Sequence, residues 1–78
     1  MPTVLRVGPY RFFFYSSDWQ EPPHVHVQGG EATGEFWLAP VRLAGSKGFG
    51  EAELNRIQRP VRDNEQQLRR SWDDYFHS

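Results

Sequence analysis

The chain has 78 residues, a formal net charge of -1, no cysteine and 15% aromatic residues. This length fits a single domain over residues 1–78, and the near-zero charge provides no global attraction to nucleic acid or membrane. The lack of cysteine excludes disulfides and thiolate zinc sites. No apolar run reaches the ~18 residues of a membrane span. Because the segment Met1-Pro2-Thr3 is not typical of a signal peptide, we expect a cytoplasmic protein that does not bind membranes.

Four strands are predicted in the first half of the chain, at about residues 3–7, 10–16, 24–28 and 31–38. Gly8-Pro9 and Gly29-Gly30 are turn-forming pairs, so these strands are expected to form two antiparallel hairpins. Pro40 is predicted to end the fourth strand, since proline cannot donate a ladder hydrogen bond. Residues 41–50 are interpreted as a glycine-rich connection.

After Gly50 the apolar residues recur every three or four positions, which predicts a helix over about residues 51–76. The apolar stripe of this helix contains Leu54, Ile57, Val61, Asn64, Leu68, Trp72 and Phe76. Pro60 lies off the stripe and predicts a kink, with a break into two helices as the alternative. The expected fold class is therefore α+β, a small four-stranded antiparallel sheet of two hairpins packed on one long, proline-kinked C-terminal helix.

Alternation along the strands divides the side chains of the sheet between two faces. The apolar face, which the helix is expected to cover, holds Leu5, Val7, Phe12, Phe14, Val25, Val27, Phe36 and Leu38. The opposite face, here named the outer face, holds Arg6, Arg11, Phe13, Tyr15, His24, His26, Glu35 and Trp37. Two histidines among arginines and aromatic rings are not typical of a solvated sheet surface. We therefore expect the functional site on the outer face, with both histidines at least partly exposed.

The outer face supplies the groups that cleave RNA through its 2′-hydroxyl. Such a reaction needs a base, an acid and cations, and exposed rings to stack the bases. The residues predicted to be catalytic are His24, His26 and Tyr15. Those predicted to bind RNA or phosphate are Arg6, Arg11 and Trp37.

Two alternatives remain open for the same face. His24 and His26 are close enough on one strand to share a metal, with Glu21 or Glu35 as a third ligand, although no cofactor is predicted as the first choice. The face can also be a docking surface for a partner protein or for a second copy in a homodimer. Arginines beside the histidines would favour RNA, whereas convergence of Glu21 and Glu35 on them would favour a metal.

Four segments, MPTVLRVGPYRFFFYSSD, EPPHVHV, FWLAPVRLAGSKGF and ELNRI, resemble a bacterial domain-of-unknown-function family, DUF4160. The resemblance covers nearly the whole chain and is most specific in EPPHVHV and GPYRFFFYS. It implies the toxin-like member of a toxin–antitoxin pair, with a small cognate antitoxin-like protein as partner. Together with the outer face, it leads us to expect a toxin of ribonuclease type that acts on RNA.

Overall fold

The structure, a computed structural model, describes residues 2–77 and confirms the α+β class. Its strands are β1 (Thr3–Val7), β2 (Tyr10–Phe13), β3 (His24–Gly29), β4 (Ala32–Leu38) and β5 (Val41–Lys47). A short 3₁₀ helix (Ser16–Gln20) lies between β2 and β3, and the helices α1 (Glu51–Asp63) and α2 (Glu65–His77) follow β5. Within the described residues, neither helix is long and apolar enough to cross a membrane.

The strands form one antiparallel sheet in which each strand pairs with the next along the chain. Both predicted hairpins are present, and their turns use glycines in the left-handed region, with φ of 55° at Gly8 and 61° at Gly30. Glycine adopts this conformation without the steric cost that a Cβ would add. The turn-forming pairs therefore predicted the antiparallel pairing of β1 with β2 and of β3 with β4.

The prediction of four strands is wrong, because residues 41–47 form a fifth strand at the edge of the sheet. Pro40 does end β4, but it does so within a turn after which the chain pairs back, Leu38 opposite Val41. Only Val41 of β5 is buried, so the strand lacks the alternation that identifies a half-buried strand. An edge strand needs few buried side chains, because backbone pairing on one side is sufficient to hold it.

The predicted second strand is too long, since β2 ends at Phe13 rather than at about residue 16. The chain leaves the sheet through the 3₁₀ helix, whose first turn is closed by Asp18. The backbone N–H of Tyr15 donates to Asp18 Oδ2 at 2.8 Å, and the N–H of Asp18 donates to the Tyr15 carbonyl at 3.0 Å. These reciprocal bonds satisfy backbone groups that a longer strand would otherwise pair.

The prediction of one long helix kinked at Pro60 is also wrong in detail. Pro60 lies inside α1, and the helix is interrupted four residues later at Asn64, where φ is -112° and ψ is 19°. The Asn64 side-chain amide donates to the Pro60 carbonyl at 2.8 Å, and its backbone N–H donates to the same oxygen at 3.0 Å. A polar side chain that bonds its own backbone competes with a regular helix. The apolar stripe keeps its phase across this point, since Ile57, Val61, Leu68 and Trp72 are all buried.

The core lies between the apolar face of the sheet and the two helices, as predicted. Cross-strand partners share a face, and the pairs Phe12 with Val27 and Val25 with Phe36 confirm the parity assignment there. These side chains are fully buried with Phe14, Leu38, Ile57 and Leu68. The outer face is also partly covered, since Phe13 on it is only 3% exposed.

A hydrogen bond between Tyr10 and Glu53 joins β2 to α1, with the phenol donating to Oε2 at 2.6 Å. This bond, followed by desolvation and the charge of Glu53, raises the pKa of Tyr10 above its ordinary value, and Arg56 partly opposes the shift. A pKa that is higher in the folded state gives stability that is present below the unfolded pKa of ~10 and lost as pH rises through the folded value. We expect the unfolding free energy to fall above about pH 10, and to fall less steeply in Tyr10→Phe. Urea denaturation of both proteins between pH 9 and 11 measures this difference. An equal change of the unfolding free energy with pH in the two proteins would contradict the prediction.

Candidate functional site

The site is centred on the Asp18 carboxylate, which the 3₁₀ helix holds against the start of β3. Its Oδ2 already accepts the backbone N–H of Tyr15, which fixes the rotamer of the side chain. Oδ1 lies 3.2 Å from His24 Nε2, and Oδ2 lies 3.0 Å from His26 Nε2. One carboxylate therefore bridges both histidines of the EPPHVHV segment.

His24 lies at the base of the site and is 1% exposed. Its ring centroid lies 5.6 Å from that of Trp37 and 5.1 Å from that of Trp72. The expectation that His24 is partly exposed is wrong, because the core residue Trp72 of α2 reaches its ring. The burial is compatible with a polar ring because Nδ1 bonds the Pro22 carbonyl at 2.8 Å.

His26 lies on the outer face between two aromatic rings. Its ring stacks on Phe13 at a centroid distance of 5.6 Å and meets the edge of Tyr15 at 4.6 Å. The two imidazoles are 5.1 Å apart between centroids. His26 remains partly exposed, as predicted, with 16% of its side chain accessible to solvent.

Two glutamates complete the site at its rim. Glu35 Oε2 lies 3.7 Å and Glu21 Oε1 lies 4.0 Å from His24 Nε2. Side-chain exposure rises from 1% at His24 to 31% at Glu35 and 57% at Glu21. The site is thus closed at its base and open to solvent on the side of the glutamates.

The hydrogen bond of His24 to Pro22 decides what the other ring nitrogen presents to the carboxylates. A backbone carbonyl only accepts, so Nδ1 carries a proton. In the neutral ring Nε2 then bears a lone pair, and this lone pair faces the oxygens of Asp18, Glu35 and Glu21. The Nε2 lone pair and the carboxylate oxygens repel one another, so a positive charge between them is needed to stabilise this arrangement. That charge is either a proton on Nε2 or a metal cation.

The donor atoms have the spacing of a metal coordination sphere. Zinc binds histidine nitrogen and carboxylate oxygen at about 2.0–2.2 Å, which puts neighbouring tetrahedral ligands roughly 3.4 Å apart. Asp18, His24 and His26 form one set of donors, and Glu21, His24 and Glu35 form another, with all ligand atoms of each set within 4.8 Å of one another. His24 belongs to both sets, so either set can supply ligands to a cation beside its ring.

The residues predicted for RNA cleavage are only partly brought together. Tyr15 and Trp37 do lie beside His26 and His24. Arg11 is the Cα partner of Gln28, which lies two residues, about 7 Å, along β3 from His26 and four residues, about 13 Å, from His24. Its guanidinium bonds Thr3 Oγ1 and Gln28 Oε1 and lies over the Phe13 ring. Arg6 is the Cα partner of Arg11 on β1, one strand farther from the histidines.

Glu21 and Glu35 therefore converge on His24, whereas Arg11 is separated from His26 by the Phe13 ring. The residue that the sequence analysis missed is Asp18, which lies between the predicted second and third strands. A signal was present, because Asp three residues after Tyr15 is placed to accept the N–H that opens a helical turn. Pro22 and Pro23 connect that turn to the start of β3, and their carbonyls accept hydrogen bonds from His24 Nδ1 and from the Leu38 N–H.

Comparison with known proteins gives a family but no characterised relative. The family model described as "Domain of unknown function (DUF4160)" matches residues 10–73, which include the 3₁₀ helix, both histidines and most of the two α-helices. No curated protein and no solved structure matches the chain.

Proposed function

Because the chain belongs to the DUF4160 family, whose description states no activity, we propose its function from the geometry of the site: it binds a divalent transition-metal ion of the zinc type. The proposed ligands are Nε2 of His24, Nε2 of His26 and the carboxylate of Asp18. Glu35 and Glu21 are available at the open side. The toxin and ribonuclease activities expected from the sequence stay predictions.

The observation that carries this proposal is the direction of His24 Nε2. Its ring is fixed by the Nδ1 bond to Pro22 and by burial, so Nε2 points at the carboxylates whether or not a ligand is present. Metal-binding histidines ordinarily donate their second nitrogen to a carbonyl or carboxylate, which selects the tautomer and orients the ring. The bond from His24 to the Pro22 carbonyl has this form.

The chemistry of the donors favours zinc and its neighbours over magnesium or calcium. Imidazole suits Zn²⁺, Ni²⁺, Cu²⁺ and Fe²⁺, whereas Mg²⁺ and Ca²⁺ prefer oxygen ligands alone. Two histidines and one carboxylate leave a coordination position for water, as in catalytic zinc sites. With neutral imidazoles, a divalent cation reduces the charge of the three carboxylates from -3 to -1.

Thermal melting with and without metal tests the proposal. A ligand that binds only the folded state at about 100 times its Kd adds ~2.7 kcal/mol of stability. For a domain of this size we expect added Zn²⁺ to raise Tm on the order of 10–20 °C. The variant His26→Phe retains a ring to stack on Phe13 but lacks one ligand nitrogen, so added Zn²⁺ should raise its Tm much less than that of the wild type.

His77→Ala is the matched control, because His77 is exposed on α2 and belongs to neither donor set. It should respond to zinc as the wild type does. If Zn²⁺, Ni²⁺ and Mn²⁺ all leave the wild-type Tm unchanged, or if His26→Phe gains as much as the wild type, the metal proposal is wrong.

A second candidate function is the predicted RNA-cleaving toxin. The observation in its favour is the half-exposed ring of Tyr15, which lies 4.6 Å from His26 and offers a stacking surface beside an acid–base group. Its test is expression in a bacterial host with and without the small neighbouring protein, with growth and RNA integrity as readouts. The folded variant His26→Phe should then be harmless, and undiminished toxicity of that variant would exclude a catalytic role for His26.

A further inference from the structure

A cleft opens from the metal-binding residues across the outer face toward the end of β5. It has a volume of about 240 Å³, and His26 and Glu35 form one end while Lys47 forms the other. Tyr15, Thr33 and Ser46 line the space between them. Resting on the metal site proposed above, we infer that this cleft is its substrate subsite and takes a phosphate ester.

The floor of the cleft exists because Gly45 has no side chain. Gly45 is the Cα partner of Glu35, so any side chain there would project beside the metal-binding residues. A Cβ placed on Gly45 meets no atom within 4 Å, and its φ is not in the left-handed region. The glycine is therefore not required by backbone conformation or by close packing, and its effect is to leave the cleft open.

The cleft has a positive group at each end when a metal ion is bound. Lys47 is the only lysine of the chain, and among residues 2–77 no carboxylate lies within 4.0 Å of its ammonium group. A metal at His24 and His26 puts a second positive centre at the opposite end. An anionic group that lies between the two is held by both, as phosphoryl groups commonly are by lysine and metal ions.

The number of donors favours phosphate over carboxylate. Lys47 offers three N–H groups, and the hydroxyl of Thr33 offers one O–H. Together with an open metal position, these exceed what the two oxygens of a carboxylate can use. A phosphate ester presents more oxygens, and the Tyr15 ring beside them can stack a nucleobase. The cleft is smaller than the ~300–1,000 Å³ of typical ligand pockets, which fits one phosphorylated unit.

Calorimetric titration of the zinc-loaded protein with adenosine 5′-monophosphate tests this inference. Zinc affinity is measured first, so that failure of the metal site is seen separately from failure of the subsite. Lys47→Gln should retain zinc affinity and bind the nucleotide about 10- to 100-fold more weakly, as expected for loss of a charge-assisted hydrogen bond. Gly45→Val fills the floor with a strand-favouring side chain and should abolish nucleotide binding without loss of zinc.

The matched control is Arg42→Gln, which removes one positive charge from the same strand beside Trp37, outside the cleft. It should bind the nucleotide as the wild type does. Parallel titrations with inorganic phosphate and a short single-stranded oligoribonucleotide identify the source of the phosphate, since the true source should bind most tightly. No nucleotide binding by the zinc-loaded wild type, normal binding by Lys47→Gln and Gly45→Val, or equally tight binding of acetate would overturn the inference.

Discussion

Replacing Phe14 with alanine should remove a large share of the unfolding free energy of the protein. The Phe14 ring is fully buried and meets three rings of α2, with centroids 5.4 Å from Trp72, 6.0 Å from Phe76 and 6.1 Å from Tyr75. Truncation of a buried phenylalanine to alanine costs ~3–5 kcal/mol. At ~0.05–0.15 kcal/mol per residue, a domain of this size has roughly 4–12 kcal/mol in total.

Urea denaturation followed by circular dichroism measures this loss. Leu43→Ala is the control, because Leu43 is an apolar residue of the sheet that is 41% exposed, and its truncation should cost far less. A cooperatively melting Phe14→Ala protein with stability near that of Leu43→Ala would show that Phe14 does not anchor α2 on the sheet.

The second large effect is expected from Asp18→Asn, which should bind zinc at least about 100-fold more weakly. Loss of a group that merely orients a ligand typically costs 10–100-fold in metal affinity, and Asp18 is proposed as a direct ligand. The substitution retains the size of the side chain and an oxygen that can accept the Tyr15 N–H. The metal-free protein should therefore stay folded, which separates the loss of ligand charge from unfolding.

Calorimetric zinc titration of Asp18→Asn provides the measurement. Asp63→Asn removes one negative charge from an exposed position at the end of α1, far along the chain from the donor set, and should bind zinc normally. Wild-type affinity in Asp18→Asn, or an equal loss in Asp63→Asn, would argue that Asp18 is not a ligand.

The sequence predicted those parts of the fold that depend on local alternation and turn chemistry. Strict alternation assigned Val25 and Val27 to the core and the histidines to the opposite face, and the register confirms this. The edge strand β5 was not predicted, because Ala44, Gly45 and Ser46 show no alternation of buried and exposed side chains. Edge pairing depends on the neighbouring backbone, which side-chain periodicity does not report.

The sequence predicted the histidines and glutamates of the candidate site, but it did not predict Asp18 at the centre of that site. Asp18 becomes central only after the 3₁₀ helix folds back over β3, a tertiary contact between residues eight apart on different elements. The burial of His24 was missed for a similar reason, since Trp72 is far away in sequence and reaches the ring through the packing of α2. Parity assigns a face to a side chain, but it does not say what covers that face.

Nε2 of His24 and Nε2 of His26 are proposed to share one cation with Asp18. Nitrogen-15 NMR of the imidazole rings, recorded as zinc is added, tests it most directly because it reports each ring nitrogen separately. We expect Nδ1 of His24 to be protonated both before and after zinc is added, and one equivalent of zinc to shift both Nε2 resonances while those of His77 stay unchanged. A His24 proton found on Nε2 alone, or Nε2 resonances that do not respond to zinc, would contradict it.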